Sequence, residues 1–206
     1  MFGYGSASEI IFSVIAIIVS FTIHEYSHAL VSTVQGDDTP RNYGRLTLNP
    51  ASHIDLMGFI SLFLFKFGWA KPIPISSRNY KNPRLGIILT SLAGPLSNLI
   101  LAFISLIVFY ASFPQSKAIQ YFLRELIRIN AGLAVFNLLP VPPLDGSKVI
   151  AEIFGGKVSV FFFNIQRYGV MLLFALLWIP GVSQVLSRMI VFVIEGLANL
   201  AGMLVL

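Results

Sequence analysis

The sequence predicts an all-α polytopic membrane protein with about five transmembrane helices and a short membrane-associated β-hairpin or re-entrant segment between the first and the second. Three observations carry this prediction. The 206 residues are 56% hydrophobic and only 11% charged, where a soluble domain carries about 25% charged residues. Five stretches reach the roughly 20 mostly apolar residues that a spanning helix needs. Lys and Arg gather in the connectors on one side of those stretches, as they do in cytoplasmic loops.

The length suits a single membrane-embedded domain over residues 1–206, with a core over about 9–150 and C-terminal helices over about 160–206. No soluble module of ordinary size is expected beside it. The mean hydropathy of +0.80 excludes a disordered chain as well as an ordinary globular one. There is no cysteine, which excludes a disulfide framework and a thiolate metal site. The net charge of +5 reflects basic loops rather than affinity for nucleic acid, because no basic run is interleaved with aromatics. The expected partner on composition alone is the lipid bilayer.

The first span covers about 9–35. The stretch before it, "MFGYGSASEI", lacks the basic region of a cleavable signal peptide, so the segment is expected to remain as a helix. A polar connector, 36–84, follows. Within it "LMGFISLFLF" is too short to span and is read as re-entrant or interfacial. "RLTL" and "WAKPIPIS" flank that insert and read as short extended segments, the second being an edge strand because of its prolines. An extended substrate can add to such an edge. His53, just after "GRLTLNP", is a candidate substrate contact, a partner of another site residue, or a surface loop residue.

The second span covers about 85–112 and carries "GPLSN", whose small residues let helices approach closely. Asn98 in that motif is a further candidate substrate contact. The third span, about 119–139, ends at Pro140, Pro142 and Pro143, which cannot continue a helix. The fourth and fifth spans cover about 160–179 and 183–206. Arg188 and Glu195 lie seven apart on one face of the last, and are read as paired or turned to the bundle interior in a structural or gating role.

Lys and Arg set the orientation. Seven of them lie in the 36–84 connector, Lys148 and Lys157 follow span three, the 113–118 loop has only Lys117, and "PGVSQ" has none. The N-terminus is therefore expected outside, and the 36–84 and 140–159 connectors in the cytoplasm.

Inside the first span sits "HEYSH", residues 24–28. His24 and His28 are four apart, so they share one helix face and can hold one ion. H-E-x-x-H on a helix is a long-recognised zinc-protease signature. Zinc takes neutral imidazole nitrogen, and a catalytic site has three protein ligands plus a water. Glu25 stands beside the two ligands, where it can take a proton from that water. An ionisable residue within a membrane helix is costly to bury and marks a functional site.

The expected third ligand is Asp145 in "FNLLPVPPLDGSKV". On the predicted topology both His24 and Asp145 lie toward the cytoplasmic ends of their segments, so the halves of the site meet at one depth. Were the "LMGFISLFLF" insert a span, Asp145 would face the opposite side. Asn137, two turns before Asp145, is placed to donate to a developing oxyanion. Its other reading is that it satisfies carbonyls freed by the prolines.

At these residues the chain resembles the site-2 protease family of intramembrane zinc metalloproteases. "HEYSHAL" matches the family's H-E-x-x-H helix, and Asn137, Pro140, Asp145 and Gly146 match its N-x-x-P-x-x-x-x-D-G motif. "GRLTLNPASHID", "GWAKPIPI" and "LAGPLSN" also look like segments of compact bacterial members, and the likeness runs from about residue 15 to 150. The resemblance implies one zinc ion on His24, His28 and Asp145, with Glu25 as catalytic base and Asn137 assisting. It implies hydrolysis of peptide bonds within or near transmembrane segments of membrane-protein substrates, in a bacterial cell membrane. The PDZ and CBS domains of some relatives are not seen. A metal-transport or metal-binding protein using the same ligands is the alternative, although a transporter needs ligands leading to both faces. A catalytically inactive chaperone of membrane helices is a third reading, against which the intact His24, Glu25, His28 and Asp145 stand.

Overall fold

A computed structural model describes residues 7–65 and 68–205, and among these the architecture is helical, with no strand. Helix α1 runs Ala7–Val34, α2 Thr39–Asn42, α3 Leu56–Phe65, α4 Pro83–Ser112 and α5 Lys117–Asn137. Then come α6 Asp145–Phe154, α7 Gly156–Gln166, α8 Gly169–Trp178 and α9 Val182–Val205.

The core is a three-helix bundle of α1, α4 and α5. It closes because each helix offers small or polar residues to the others. On α1 the buried stripe includes Ser13, Ala16, Ser20, His24, His28 and Ser32. On α4 it includes Gly86, Thr90, Gly94, Asn98 and Ala102 at a spacing of four. Such residues let backbones approach where lipid supplies no hydrophobic drive between helices. Helix α4 starts where Asn82 accepts a hydrogen bond from Leu85 N–H with Pro83 at the first helical position. Against this bundle α9 packs through Ile194, Leu197, Ala198 and Ala201, which meet Phe103, Leu106, Ile107 and Ile127.

Three described helices, α1, α4 and α9, are long and apolar enough to cross a membrane. Helix α5 has the length, at about 31 Å. Arg124, Glu125 and Arg128 deny it the composition. Two of these charges are met within the bundle. Arg128 donates to both Glu125 oxygens at 3.0 and 2.5 Å, and Ser13 donates to the same carboxylate at 3.4 Å.

The expected fourth span, 160–179, is not one helix. It is α7 and α8, bent by 87° at Arg167 and Tyr168. At about 1.5 Å per residue each arm is about 15 Å long and too short to cross alone. The chain then returns to the end it left. Gly169 abuts the Pro142–Pro143 backbone, and Leu139 shares a groove with Pro180, Gly181, Val182 and Leu186. Further along, Gly132 approaches Ile190. The "PGVSQ" turn therefore lies at the same end as Asp145, and α9 runs antiparallel to α5. The expectation of five spans with "PGVSQ" at the opposite end is corrected accordingly. A tight contact at Gly169, which has no side chain to hold α8 away, makes the return possible.

The expected β-hairpin is likewise replaced. Among the described residues the connector has a single antiparallel bridge, Ile54 with Ala70, next to Lys71 N–H donating to His53 C=O at 2.8 Å. Beyond this bridge no ladder is seen among the described residues; Pro72 and Pro74 fall on the register whose nitrogens face away from His53, so they blunt the outer edge. The "RLTL" stretch is loop, tied down by the Arg45 guanidinium donating to Ser52 C=O and by His53 donating to Thr47 C=O. The insert between them is α3, ten residues long, which agrees with a segment that does not span. Arg188 and Glu195 are both exposed, and no ion pair among the described residues joins them, in contrast to the expected interior pair.

Candidate metal centre

Helix α1 carries His24 about 25 Å from its start. The loop 138–144 ends α5 and starts α6 with Asp145 as its first residue. Arg84, at the beginning of α4, donates to the carbonyls of Glu152 and Ile153 at 2.7 Å each. That caps the far end of α6, so α6 runs from Asp145, inside the bundle, out to the start of α4. The sequence permits the loop's fold because Gly146 lies against the Leu138 carbonyl, where any Cβ would sit 2.2 Å from its oxygen.

These elements bring three buried donors together. The Nε2 atoms of His24 and His28 are 3.1 Å apart, and the Asp145 Oδ2 lies 3.4 and 3.2 Å from them. Tetrahedral zinc with bonds of about 2.0–2.1 Å spaces its ligands about 3.3 Å apart. The other Asp145 oxygen accepts from Lys148 Nζ at 2.9 Å.

Proton positions give an independent test of fit. His24 Nδ1–H donates to Asn98 Oδ1 at 2.5 Å, and His28 Nδ1–H donates to the Thr90 carbonyl at 2.6 Å. In the neutral rings both Nε2 atoms are then bare lone pairs, facing each other and a carboxylate. Three lone-pair groups converging in a buried space repel unless a cation lies among them. Two imidazoles and one carboxylate suit zinc. His24, His28 and Asp145 therefore fit the metal, each by the atom the chemistry requires.

Gly94 closes the site from α4. A Cβ there would sit 2.5 Å from His28 Nε2 and 2.6 Å from His24 Nε2. Glu25 is half-buried one residue from His24, and Asp145, Lys148 and Arg45 are the charged groups that act on it.

The remaining expected residues are placed as follows. Asn137 is half-buried, and its amide donates one N–H to Leu133 C=O at 3.0 Å. Asn98, expected as a substrate contact, is fully buried behind His24. Its oxygen accepts from His24, and its nitrogen donates to Asn130 Oδ1 at 2.6 Å and Ser20 C=O at 3.3 Å. No polar atom of it is left for a substrate. His53 is buried, and its Nδ1 has no partner among the described residues. It lines a small cavity of about 20 Å³ with Ile17, Ile18, Phe21, Gly58 and Trp69. Burial lowers its pKa, the Thr47 hydrogen bond works the other way, and the charge of Arg45 lowers it further.

Asn130, Thr90 and Gly94 were not singled out as site residues in the sequence. A signal existed for Asn130, a polar side chain in the middle of a predicted span.

A second buried network stands behind His28. Tyr80 O–H bridges Thr90 Oγ1 at 3.1 Å and Ser32 Oγ at 2.9 Å, and Ser32 donates to Asp37 Oδ2 at 3.0 Å. Asp37 also accepts from Thr39, Ser76 and Asn79. Burial works to raise the Asp37 pKa, but the Thr39, Ser76 and Asn79 hydrogen bonds outweigh it and lower it to about 2.

Comparison with known proteins agrees with this picture. Residues 111–179 match the model of peptidase family M50. A protein of Bacillus subtilis, YwhC, provisionally named a zinc metalloprotease, is 42% identical over 92% of this chain and 90% of its own. A protein of Methanocaldococcus jannaschii, also provisionally named a zinc metalloprotease, is 33% identical over 73% of this chain and 75% of its own. Rip2 of Mycolicibacterium smegmatis, with the same provisional name, is 26% identical over 81% of this chain and 66% of its own. No solved structure matches the chain.

Proposed function

The chain belongs to peptidase family M50, the site-2 protease family, and from that premise we propose that it is a membrane-embedded zinc endopeptidase, cutting peptide bonds within or near transmembrane segments of other membrane proteins. The observation that carries the reading is the convergence of His24 Nε2, His28 Nε2 and Asp145 Oδ2 within 3.1–3.4 Å of one another, with Glu25 beside them. Bound zinc supplies Lewis acidity, polarising the scissile carbonyl and making water a stronger acid.

The chain's own residues do the rest. His24, His28 and Asp145 hold the ion. Glu25 takes the proton from the attacking water and returns it to the leaving amine. Asn137 has a second amide hydrogen to donate to the developing oxyanion. The small cavity at His53 lies along α1, beside the turn that precedes Glu25, and leaves His53 Nδ1 open to a single polar group such as a substrate N–H. A substrate helix unwinds locally first, since a regular helix protects its carbonyls.

The orientation in this reading places the N-terminus outside and the metal end in the cytoplasm. Arg41, Arg45, Arg84, Lys148 and Lys157 all belong to connectors or helix ends at the metal end, and Lys117 to the opposite one.

The test is cleavage of a single-pass substrate in reconstituted bilayers by wild type and Glu25→Gln, with zinc content measured on both. The expected result is zinc-dependent cleavage by wild type, a fall of about 10²–10⁴-fold in the variant, and zinc retained in both. Equal cleavage by the variant would remove Glu25 from the mechanism. Zinc flux without cleavage would replace the protease reading with transport.

A further inference from the structure

A metal-binding histidine must keep one ring nitrogen free of hydrogen, and the residue behind it decides which one. Behind His28 the decision is trivial, because the Thr90 backbone carbonyl can only accept. Behind His24 stands a carboxamide, and a carboxamide has two ends. With Asn98 Oδ1 toward the ring, Nδ1 carries the hydrogen and Nε2 is free for metal. With Asn98 Nδ2 toward the ring, the hydrogen moves to Nε2 and the ligand is lost.

What holds the Asn98 amide the right way round is a chain of groups that ends in atoms of fixed character. Asn98 Nδ2 donates to Asn130 Oδ1 at 2.6 Å. Asn130 can accept there only because its own nitrogen points elsewhere, to Leu126 C=O and to Ser20 Oγ, both at 2.8 Å. The Leu126 carbonyl cannot donate. The Ser20 hydroxyl has already placed its hydrogen on Ala16 C=O at 2.6 Å, so toward Asn130 it can only accept. Turning either amide would set oxygen against oxygen in a space where Asn98, Asn130 and Ser20 are all fully buried.

We propose that Asn130 is a positioning residue for the metal centre: acting through Asn98, it selects the His24 tautomer that leaves Nε2 free to bind zinc. The inference rests on the reading of His24, His28 and Asp145 as the zinc site. It assigns Asn130 no contact with substrate or ion.

Zinc affinity, measured by chelator competition on detergent-purified protein, tests it without recourse to proteolysis. The visible spectrum of the cobalt-substituted protein reports the ligand set in parallel. Asn130→Leu, close in volume and unable to hold Asn98, is expected to bind zinc about 10–100-fold more weakly. Asn98→Asp presents oxygen to His24 whichever way it turns, so it frees the tautomer from dependence on Asn130. The double variant Asn98→Asp/Asn130→Leu is therefore expected to bind zinc at least 10-fold more tightly than Asn130→Leu and to recover the cobalt spectrum. Asn130→Ala carries the same two expectations should leucine prevent folding.

An Asn130→Leu protein with wild-type zinc affinity and spectrum would overturn the inference. So would a double variant as weak as Asn130→Leu, since a packing defect is not repaired at residue 98. A wild-type protein that binds no zinc would instead overturn the reading of the site itself.

Discussion

His24 and His28 stand one helical turn apart and present the same ring nitrogen, yet what lies behind them differs in kind. Behind His28 is a backbone carbonyl, Thr90 C=O, and side chains reach it only indirectly through Thr90 Oγ1, Tyr80, Ser32 and Asp37. Behind His24 are two carboxamides and a hydroxyl, Asn98, Asn130 and Ser20, all uncharged and all inside the helix bundle. A carbonyl of a helix backbone offers one chemistry whatever the side chain. A carboxamide can be turned round. Substitutions on the His28 side should therefore be felt in stability, because that network ties the end of α1 to the loop before α4. Substitutions on the His24 side should be felt in the metal.

The change that breaks both arms together is at Gly94, which touches the two rings. Gly94→Ala places a methyl 2.5–2.6 Å from ring atoms of His24 and His28. Overpacking of this kind costs about 1–3 kcal/mol and displaces side chains. In the proposed reading these side chains are the zinc ligands, so zinc content and cleavage are both expected to fall below detection. Metal analysis of the purified variant checks it, and full zinc occupancy would show that the rings can yield.

Asp37 sharpens the difference through pH. Its pKa is lowered to about 2, against about 4 for an unpaired aspartate. A lowered pKa contributes stability above the unfolded value and loses it as pH falls through the folded one. The contribution, on the order of 2 kcal/mol, is present above about pH 4 and disappears between about 4 and 2. Melting temperatures in detergent across that window should fall more steeply for wild type than for Asp37→Asn. Parallel slopes would detach Asp37 from the stability of this end.

The smallest effect is expected at Tyr80. Tyr80→Phe removes the hydroxyl between Ser32 and Thr90 but leaves the Thr90 carbonyl on His28. The expected cost is about 1 kcal/mol in unfolding free energy, with zinc affinity unchanged. Denaturant melts and chelator competition on the same sample separate the two quantities. A loss of zinc affinity at Tyr80 comparable to that at Asn130 would erase the contrast between the arms.

Much of the site could be read along the chain because it is written in local spacing. Two histidines at i and i+4 share a helix face wherever the helix is, and polar groups within an apolar helix announce themselves by their cost. The prolines at 140, 142 and 143 likewise mark the end of α5. Other features depend on partners far along the chain. The bend at Arg167 and Tyr168 and the return of α8 follow from Gly169 meeting the 142–143 backbone, a contact that no window of sequence contains. The expected hairpin in the connector is reduced, among the described residues, to the Ile54–Ala70 bridge, a pairing between segments 16 residues apart.

By itself, then, the sequence determined the membrane character, three of the five expected spans as long apolar helices, and the pairing of His24, Glu25 and His28, since each is a matter of composition or helical period. Only the tertiary structure decided that Asp145 comes within 3.4 Å of both imidazoles, that Gly94 caps them, and that Asn130 governs the amide behind His24. The physical reason is direction. Hydrophobic period says which face of a helix is buried, but the end of an amide that faces a ring is settled by acceptors on other helices.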